Sequence, residues 1–450
     1  MNPPLFTQFI AVLLLPLAAL HAADTIPAAK PNFVIILVDD MGYGDIGPFG
    51  SKKNRTPNLD KMASEGMKLT SFYAAPLCTA SRSQIMTGCY AKRVSMPAVL
   101  YPAQPIGLSH KEKTIAELLK PQGYATMCIG KWHLGDQPEF LPTRRGFDHY
   151  VGLPYSNDMG GMKKGKGKGS PPLPLLKDEK VVEAPAIQDK LEVLYTDEAV
   201  KFITANKDRP FFLYMPHTAV HKPYNPGLQF KGKSANGEYG DWVEEVDWSV
   251  GRILNTLREL KLDKNTLVLF TSDNGGVEGG GASNGTLRGF KSQTWEGGMR
   301  EPTLVWWPGT IAAGTSSDAL MGEIDVLPTL VALAGRKVPA DRKIDGLDIW
   351  PVLSGASEES PHEALFYFKK GVGPIEGVRS GPWKLLNEEL YNLDSDTGET
   401  RNVADKNPEV VKKLKALIAK MDTDLENGGI RPHDTVNKAK PLTMDGREYD

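Results

Sequence analysis

The chain has 450 residues, of which 40% are hydrophobic and 24% charged, with a formal net charge of −2. This length can bury one or two large cores, and the near-neutral charge argues against a bulk nucleic-acid binder. The three cysteines, Cys78, Cys89 and Cys128, are too few for a disulfide scaffold. Cys89 and Cys128 could pair with each other, but free buried thiols are the favoured interpretation.

The first 23 residues form an apolar block that ends in Ala22 and Ala23. This pattern is typical of a secretory signal peptide and is short for a membrane span. The start of this block lacks the Lys or Arg that a signal peptide usually has, so an N-terminal membrane anchor is the alternative. We predict a signal peptide at 1–23 and an exported product, periplasmic or secreted, without stable membrane insertion.

A continuous apolar and β-branched run, Asn32–Val38, is followed at once by Asp39 and Asp40. Such a run predicts a strand buried on both faces of a parallel sheet. Two adjacent carboxylates at the end of a buried strand are costly unless a cation holds them. The alternative is an ordinary polar turn after a strand.

Three later strands also end in polar residues and are preceded by helical segments. The predicted helices are Thr114–Lys120, Thr196–Asn206 and Trp242–Lys261, and the strands are Tyr124–Ile129, Phe211–Met215 and Thr266–Phe270. The residues that follow these strands are Lys131 and His133, then His217 and His221, then Asp273 and Asn274. This alternation predicts a mostly parallel sheet with helices on both faces. Ligands bind outside the carboxyl ends of such strands, so the sequence predicts one shared cleft.

The composition of the chain changes near 353–361, where the run SGASEESP indicates a linker. A strand at Pro302–Trp307 and a helix at Ile324–Ala334 precede it. Beyond it come strand-like runs at Ala364–Lys369, Gly377–Leu386 and Glu389–Asn392, and a charged helix at Pro408–Leu425. We predict a catalytic domain at 24–355 and a smaller α+β domain with an antiparallel sheet at 356–450.

The segment Cys78–Gly88 reads CTASRSQIMTG and predicts a helix that begins near the cysteine. Cys78 and Arg82 are four residues apart and share one helix face, with Cys78 at the end that favours an anion. A thiol there is a candidate nucleophile, and a small buried cysteine is the alternative.

This segment resembles the signature of the formylglycine-dependent (type I) sulfatases, with Ala80 where proline is commoner. Five further segments resemble motifs of that family in the expected order between residues 31 and 335, and they are PNFVIILVDDMGYGD, GYATMCIGKWHLG, YMPHTAVHKP, TSDNGG and RGFKSQTWEGGMREP. The segment GLPYSND resembles the arylsulfatase A and N-acetylgalactosamine-6-sulfatase branch. The resemblance implies an alkaline-phosphatase-like fold.

The resemblance also implies a site and a mechanism. A maturation enzyme would oxidise Cys78 to formylglycine, whose hydrated aldehyde attacks sulfur with help from Asp273. Arg82 and Lys131 would hold its hydroxyls, and His133 would remove the proton that allows sulfate to be expelled. The sulfate would be contacted by Ser156, Lys131, His221 and Lys291, and His221 or Lys291 would protonate the leaving alcohol. A metal, Ca²⁺ in preference to Mg²⁺, would be held by Asp39, Asp40, modified Cys78, Asp273 and Asn274.

The function predicted is hydrolysis of sulfate monoesters, with a sulfated carbohydrate as the substrate class. We expect the Gly/Lys-rich stretch Met159–Leu176 to be a mobile loop over the cleft that attracts a polyanion. We expect His217 to contact other residues of the site and not the substrate. We expect Trp132 and Trp295 to be packing residues. One alternative is a phosphomonoesterase or phosphodiesterase on the related scaffold, which requires a Ser or Thr nucleophile and a second metal. Another is a catalytically idle carbohydrate-binding relative, which requires a lost nucleophile or metal ligand.

Overall fold

The computed structural model of the chain describes residues 1, 30–163 and 168–444. Apart from Met1, the predicted signal peptide lies outside the described residues. Within the described part of the chain, no helix is both long and apolar enough to cross a bilayer. Cys78, Cys89 and Cys128 are all buried free thiols, so Cys89 and Cys128 do not pair here.

Eighteen strands and nine α-helices lie within the described residues. The strands are β1 (Asn32–Val38), β2 (Met67–Leu69), β3 (Phe72–Tyr73), β4 (Ile106–Gly107), β5 (Ala125–Ile129), β6 (His149–Gly152), β7 (Leu175–Lys177), β8 (Lys180–Glu183), β9 (Phe211–Pro216), β10 (Thr266–Ser272), β11 (Thr303–Trp306), β12 (Thr315–Ser317), β13 (Met321–Gly322), β14 (Leu365–Phe368), β15 (Ile375–Ser380), β16 (Trp383–Leu386), β17 (Glu389–Asn392) and β18 (Asp434–Thr435). The α-helices are α1 (Pro57–Glu65), α2 (Cys78–Thr87), α3 (Ile115–Leu119), α4 (Leu191–Ala205), α5 (Gly237–Glu259), α6 (Glu296–Met299), α7 (Val326–Leu333), α8 (Trp350–Leu353) and α9 (Pro408–Asp424).

Ten strands form one large sheet in the order β12-β2-β11-β10-β1-β9-β5-β6-β7-β8. The five central strands, β10-β1-β9-β5-β6, are all parallel to their neighbours. Antiparallel pairs occur only toward the two edges of this sheet, at β10-β11, β11-β2, β6-β7 and β7-β8. The mostly parallel sheet predicted from the alternation of helices and strands is therefore confirmed.

The central strand β1 contributes alternate side chains to two separate hydrophobic cores. Phe33, Ile35 and Leu37 face a core that contains residues of α2, α3 and α7. Val34, Ile36 and Val38 face the core built with α1, α4 and α5. All seven strand residues are buried, which explains why the sequence reads as a continuous apolar run instead of an alternating one.

A separate antiparallel sheet, β14-β15-β16-β17, lies near the end of the chain, and α9 packs on it. The predicted run Gly377–Leu386 covers two of these strands, because the chain turns at Gly381, whose φ of 53° suits glycine. The predicted loop Met159–Leu176 extends too far at its C-terminal end, because Leu175 and Leu176 are buried residues of β7.

Candidate active site

Asp39 and Asp273 follow the last residues of the neighbouring parallel strands β1 and β10. Val38 and Ser272 are register partners, and the Asp273 amide donates to the Val38 carbonyl at 2.9 Å. Both aspartates are completely buried. The topology of the sheet therefore brings together two carboxylates that are more than 230 residues apart in sequence.

Asp40 and Asn274 come next along the same two segments. Asn274 Nδ2 donates to Asp40 Oδ1 at 2.8 Å, and the Asp40 amide lies 3.3 Å from Asp273 Oδ1. Asp40 has a left-handed backbone (φ 64°), which turns its carboxylate back toward Asn274 after the strand. Asp40 Oδ2 and Asn274 Oδ1 are buried and have no hydrogen-bond partner among the described residues.

Cys78 is the first residue of α2, a helix whose ten residues are all buried. Its Sγ lies 3.7 Å from Asp39 Oδ1. Burial raises the pKa of the Cys78 thiol to about 12, against the opposing effect of Lys131 and Lys291, so the unmodified thiol is neutral at physiological pH. Desolvation outweighs the nearby positive charges, so the helix-end position does not activate the unmodified thiol, which was one of the two interpretations that the sequence left open.

Arg82, one helical turn further on, bridges the two strand-end aspartates. Its Nε and one terminal nitrogen donate to Asp273 Oδ2 at 3.0 and 2.8 Å, and that same nitrogen lies 3.1 Å from Asp39 Oδ2. The other terminal nitrogen donates to the Lys131 carbonyl. The guanidinium is completely buried, so these carboxylates provide its charge compensation.

Lys131 and Lys291 place two ammonium groups on the same carboxylate cluster. Lys131, which follows β5, is fully buried and pairs with Asp39. Lys291 Nζ lies 2.5 Å from Asp40 Oδ1 and retains a small exposed fraction of 14%. Lys291 is therefore the lysine of this pair that a ligand from solvent can reach.

The two strand-end aspartates differ in their pKa. Burial would raise the pKa of Asp39, but Lys131 and Arg82 outweigh it and hold this pKa well below its usual range. Burial, reinforced by the charge of Asp39, raises the pKa of Asp273 to about 6 although Arg82 opposes the shift. The nearby cations thus stabilise the charged form of Asp39 more than that of Asp273.

His221 completes a group of residues with metal-ligating atoms. Atoms of Asp39, Asp40, Cys78 and His221 lie within 4.8 Å of one another. His221 Nε2 is 3.7 Å from Asp40 Oδ2, and Nδ1 lies 2.6 Å from the Lys222 carbonyl and 3.1 Å from Asn157 Oδ1. Both neighbours of Nδ1 are acceptors, so Nδ1 carries the hydrogen; burial and then Lys291 lower the pKa of His221 against the effect of Asp40.

His133 is buried and has a hydrogen-bond partner at only one of its two ring nitrogens within the described part of the chain. Its Nε2 lies 2.8 Å from the Leu100 carbonyl, which can only accept, so Nε2 carries the hydrogen. Nδ1 is buried and has no partner among the described residues. Burial, with Lys131 and Arg82 nearby, lowers the pKa of His133 well below its usual value, so the ring is neutral and Nδ1 carries no hydrogen.

Ser156 and His217 are not linked to the carboxylate cluster by a side-chain hydrogen bond. Ser156 Oγ is buried without a partner among the described residues, and His217 pairs with Glu192 of α4. Glu192 also accepts the amides of Thr218 and Ala219 at 3.1 and 2.8 Å, so it holds the segment that carries His221. Sequence reasoning missed Glu192, which looks like a surface charge on a helix, and Asn157, whose only signal is its place beside Ser156.

The oxygen atoms at this site fit a hard cation. Asp39, Asp40 and Asp273 supply carboxylate oxygens, and Asn274 supplies an amide oxygen, which are the ligand types that Ca²⁺ and Mg²⁺ prefer. The unpartnered oxygens of Asp40 and Asn274 are the observation that supports this fit, because buried polar atoms normally have a partner.

Known proteins share both the sequence and the shape of this chain. The sulfatase family model matches residues 31–336, and the model described as N-sulphoglucosamine sulphohydrolase, C-terminal, matches 290–424. Arylsulfatase A of Homo sapiens is 38% identical over 88% of this chain and 88% of its own length. N-acetylgalactosamine-6-sulfatase of Mus musculus is 43% identical over 79% of this chain and 72% of its own. A structure solved in complex with k-i-k-neocarrahexaose is 31% identical, with a TM-score of 0.77 over 90% of this chain and 95% of that one.

The chain therefore belongs to the sulfatase family, with an alkaline-phosphatase-like fold. Within that family it is similar to arylsulfatase A and N-acetylgalactosamine-6-sulfatase, and it is a sulfuric ester hydrolase. The resemblance inferred from the six motifs is confirmed.

Proposed function

We propose that the chain removes sulfate from a sulfated carbohydrate, using a formylglycine made from Cys78 and a bound Ca²⁺. The observation that carries the proposal is the position of Cys78, at the start of a buried helix and 3.7 Å from Asp39 in a cluster of metal-ligating atoms. The carbohydrate class is supported by relatives whose names or ligands are those of sugars.

The metal would be held by Asp39, Asp40, Asp273 and Asn274, with a further ligand from the modified residue 78. Ca²⁺ bound there would offset the carboxylate charge and attract sulfate oxygens. The hydrated aldehyde would supply an oxygen nucleophile with a second hydroxyl, which a serine lacks.

Sulfate binding, activation of the nucleophile and proton transfer would be carried out by side chains of the chain itself. Arg82 and Lys131 fix the carboxylates around residue 78, and Lys131, with Lys291 at the exposed side, binds the sulfate group. Ser156 and His221 are the other proposed sulfate contacts, and Asp273 is proposed to help activate the nucleophile. His133 Nδ1 accepts the proton of the second hydroxyl, since Nε2 is already committed to Leu100.

Protonation of the leaving alcohol is assigned to His221 or Lys291. Lys291 remains an ammonium, because Asp40 overcomes the effect of burial and raises its pKa well above the usual value. His221 keeps its hydrogen on Nδ1 toward Lys222, so it can serve as the acid only after a second proton reaches Nε2.

The Gly/Lys-rich stretch remains part of this proposal as an electrostatic guide for a polyanionic substrate. Lys164 and Lys166 lie outside the described residues, while Lys163 is exposed. Replacement of all four lysines of the stretch, which include Lys168, should weaken binding of a sulfated oligosaccharide more than that of a small aryl sulfate. Unchanged activity on the oligosaccharide would remove this part of the proposal.

Peptide mass spectrometry on protein from its native host tests the central claim. We expect the peptide with residue 78 to carry an aldehyde in place of the thiol, and protein from a host without the maturation machinery to be folded but nearly inactive. Full turnover by protein with an intact thiol at Cys78 would contradict the proposal. A desulfation screen over defined sugar sulfates would then identify the substrate, and the absence of any turnover by matured protein would favour an idle relative.

A further inference from the structure

Lys291 lies in a loop, residues 288–295, that runs between two parts of the molecule. On one side, the loop backbone is bound close to Cys78 and the end of β10. The Lys291 amide donates to the Gly276 carbonyl at 3.1 Å, and the Ser292 amide donates to the Pro76 carbonyl at 2.8 Å. Asn284 Nδ2 also donates to the Gly289 carbonyl at 2.8 Å, and the Gly297 amide donates to the Arg288 carbonyl at 2.7 Å.

The other side of the loop is held by Lys384 of β16, in the C-terminal antiparallel sheet. Lys384 is completely buried, and its ammonium donates to the Thr294 carbonyl at 2.9 Å. The same ammonium lies 2.9 Å from Glu296 Oε1 and 2.7 Å from Glu399 Oε1. One buried cation therefore joins the loop, the start of α6 and the C-terminal sheet region.

Two further contacts from the C-terminal region reach the same loop. Thr294 Oγ1 donates to Glu376 Oε2 at 2.9 Å, and an Arg288 terminal nitrogen donates to the Glu399 carbonyl at 2.8 Å. The Glu296 amide donates to Glu399 Oε2 at 2.8 Å. The loop is thus bound to the C-terminal region at its beginning and at its end, with Lys291 between the two.

Glu296 resists any shift of this attachment because it has several buried partners. It accepts the hydroxyls of Tyr73 and Tyr367 at 2.5 and 2.9 Å, and an Arg300 nitrogen lies 3.4 Å away. Burial alone would raise the pKa of Glu296, but Lys384, Arg379 and Arg300 lower it to about 2. A buried charge with this many partners has few alternative arrangements. Because Lys384 contacts both Glu296 and the Thr294 carbonyl, we expect a change at Lys384 to shift the end of the loop.

We propose that Lys384 is a positioning residue that determines where Lys291 lies relative to Asp40, so that the C-terminal sheet controls how the active site binds sulfate. The inference rests on the proposed function in one respect, which is the contact of Lys291 with sulfate. The lysine does not touch the substrate itself and acts through the loop backbone.

The test compares variants in two backgrounds, the natural chain and K291A, on matured protein. K384M removes the buried ammonium, and E376A removes the acceptor of the Thr294 hydroxyl. E376Q is the matched control, because it keeps an acceptor for Thr294 while losing the ion pair that Glu376 makes with Lys369 at 3.2 Å. The readouts are kcat, KM, the inhibition constant of inorganic sulfate and the melting temperature.

In the natural background, we expect K384M to lower kcat/KM about 10- to 100-fold, as small displacements of catalytic groups do, and to weaken inhibition by sulfate. E376A should have a smaller effect in the same direction, and E376Q should resemble the natural chain. In the K291A background, K384M and E376A should change kcat/KM less than about twofold, since the residue they position is gone.

Equal losses in both backgrounds would assign Lys384 a purely structural role and overturn the inference. Unchanged kinetics of K384M and E376A in the natural background would overturn it as well. If K384M does not fold, E376A is compared with E376Q instead. A loss of kcat/KM in E376A that E376Q does not show, and that disappears in the K291A background, supports the inference. Equal losses in both backgrounds, or no loss in E376A, overturn it. Failure of the proposed function is read separately, from K291A alone: full activity of that variant would remove the sulfate contact of Lys291.

Discussion

Asp39 and Asp273 lie side by side because each follows the last residue of one of two adjacent parallel strands, and one guanidinium joins them. Arg82 contacts Asp273 Oδ2 at 2.8 Å and Asp39 Oδ2 at 3.1 Å. Two carboxylates buried this close would repel each other strongly without that charge. The arrangement makes Arg82 a structural requirement of the site as well as a proposed contact of the nucleophile.

Replacement of Arg82 by methionine should lower the free energy of unfolding by about 3–5 kcal/mol, because it leaves buried carboxylates uncompensated. Urea unfolding of the metal-free protein measures this loss. R144M is the control, since Arg144 pairs with Glu179 at the surface and such pairs contribute little. Similar stability of R82M and R144M would contradict the assigned role of Arg82.

Removal of Ca²⁺ by a chelator should lower the melting temperature, because metal binding to the folded state alone adds to stability. At a free Ca²⁺ concentration about 100 times the dissociation constant, the contribution is about 3 kcal/mol. D40N should abolish the dependence on Ca²⁺, whereas D208N, at an exposed aspartate, should retain it. A melting temperature independent of Ca²⁺ in the natural chain would argue against the proposed metal.

Leaving-group dependence should distinguish His221 from Lys291 as the acid. The variant that lacks the acid should lose activity mainly on sulfates of poorly acidic alcohols, and aryl sulfates with acidic phenols should restore its rate. The variant that lacks only a sulfate contact should lose a similar factor on all substrates. We expect H221A and K291A to differ in the slope of log kcat/KM against the pKa of the leaving group. Equal slopes for both variants and the natural chain would exclude either residue as the acid.

Glu245 of α5 should make stability depend on pH. Burial, with Glu192 and Asp189 nearby, raises the pKa of Glu245 to about 8 against the opposing bond from the Gly227 amide. The folded state therefore favours the protonated carboxyl, and this contribution is complete below about pH 4.5 and is lost as pH rises from there to about 8.

The variant E245Q keeps an acceptor for Gly227 and cannot ionise. It should be more stable than the natural chain by up to about 5 kcal/mol at about pH 9, and nearly equal to it at about pH 4. Thermal unfolding across this range measures the difference. A stability difference that does not grow with pH would contradict the assignment.

Much of the fold could be predicted because the central strands are long and apolar. The seven residues of β1 form a short, continuous apolar run rich in β-branched residues, which is typical of a doubly buried strand, and β9 and β10 are also short, largely apolar runs. The short strands β2 and β6 were not predicted, although β11, β14 and β17, of four residues each, coincide with predicted runs. The start of α4 at Leu191, five residues before the predicted Thr196, was missed because the segment has no side-chain cap to mark it. The division of the chain after residue 355 stays a prediction.

The amino-acid sequence by itself determined the class of enzyme, through motifs that resemble the sulfatase family, and it supplied the candidate site residues. Charged groups at strand ends, an unusual cysteine segment and a parallel-sheet pattern are local properties, so they can be read along the chain. The charge balance of the site was decided only by the tertiary structure. Arg82 between two aspartates, the uncharged Cys78 thiol and the unpartnered His133 Nδ1 depend on desolvation and on groups far apart in sequence. Those effects exist only once the chain excludes water from the cluster, which is why no sequence pattern reports them.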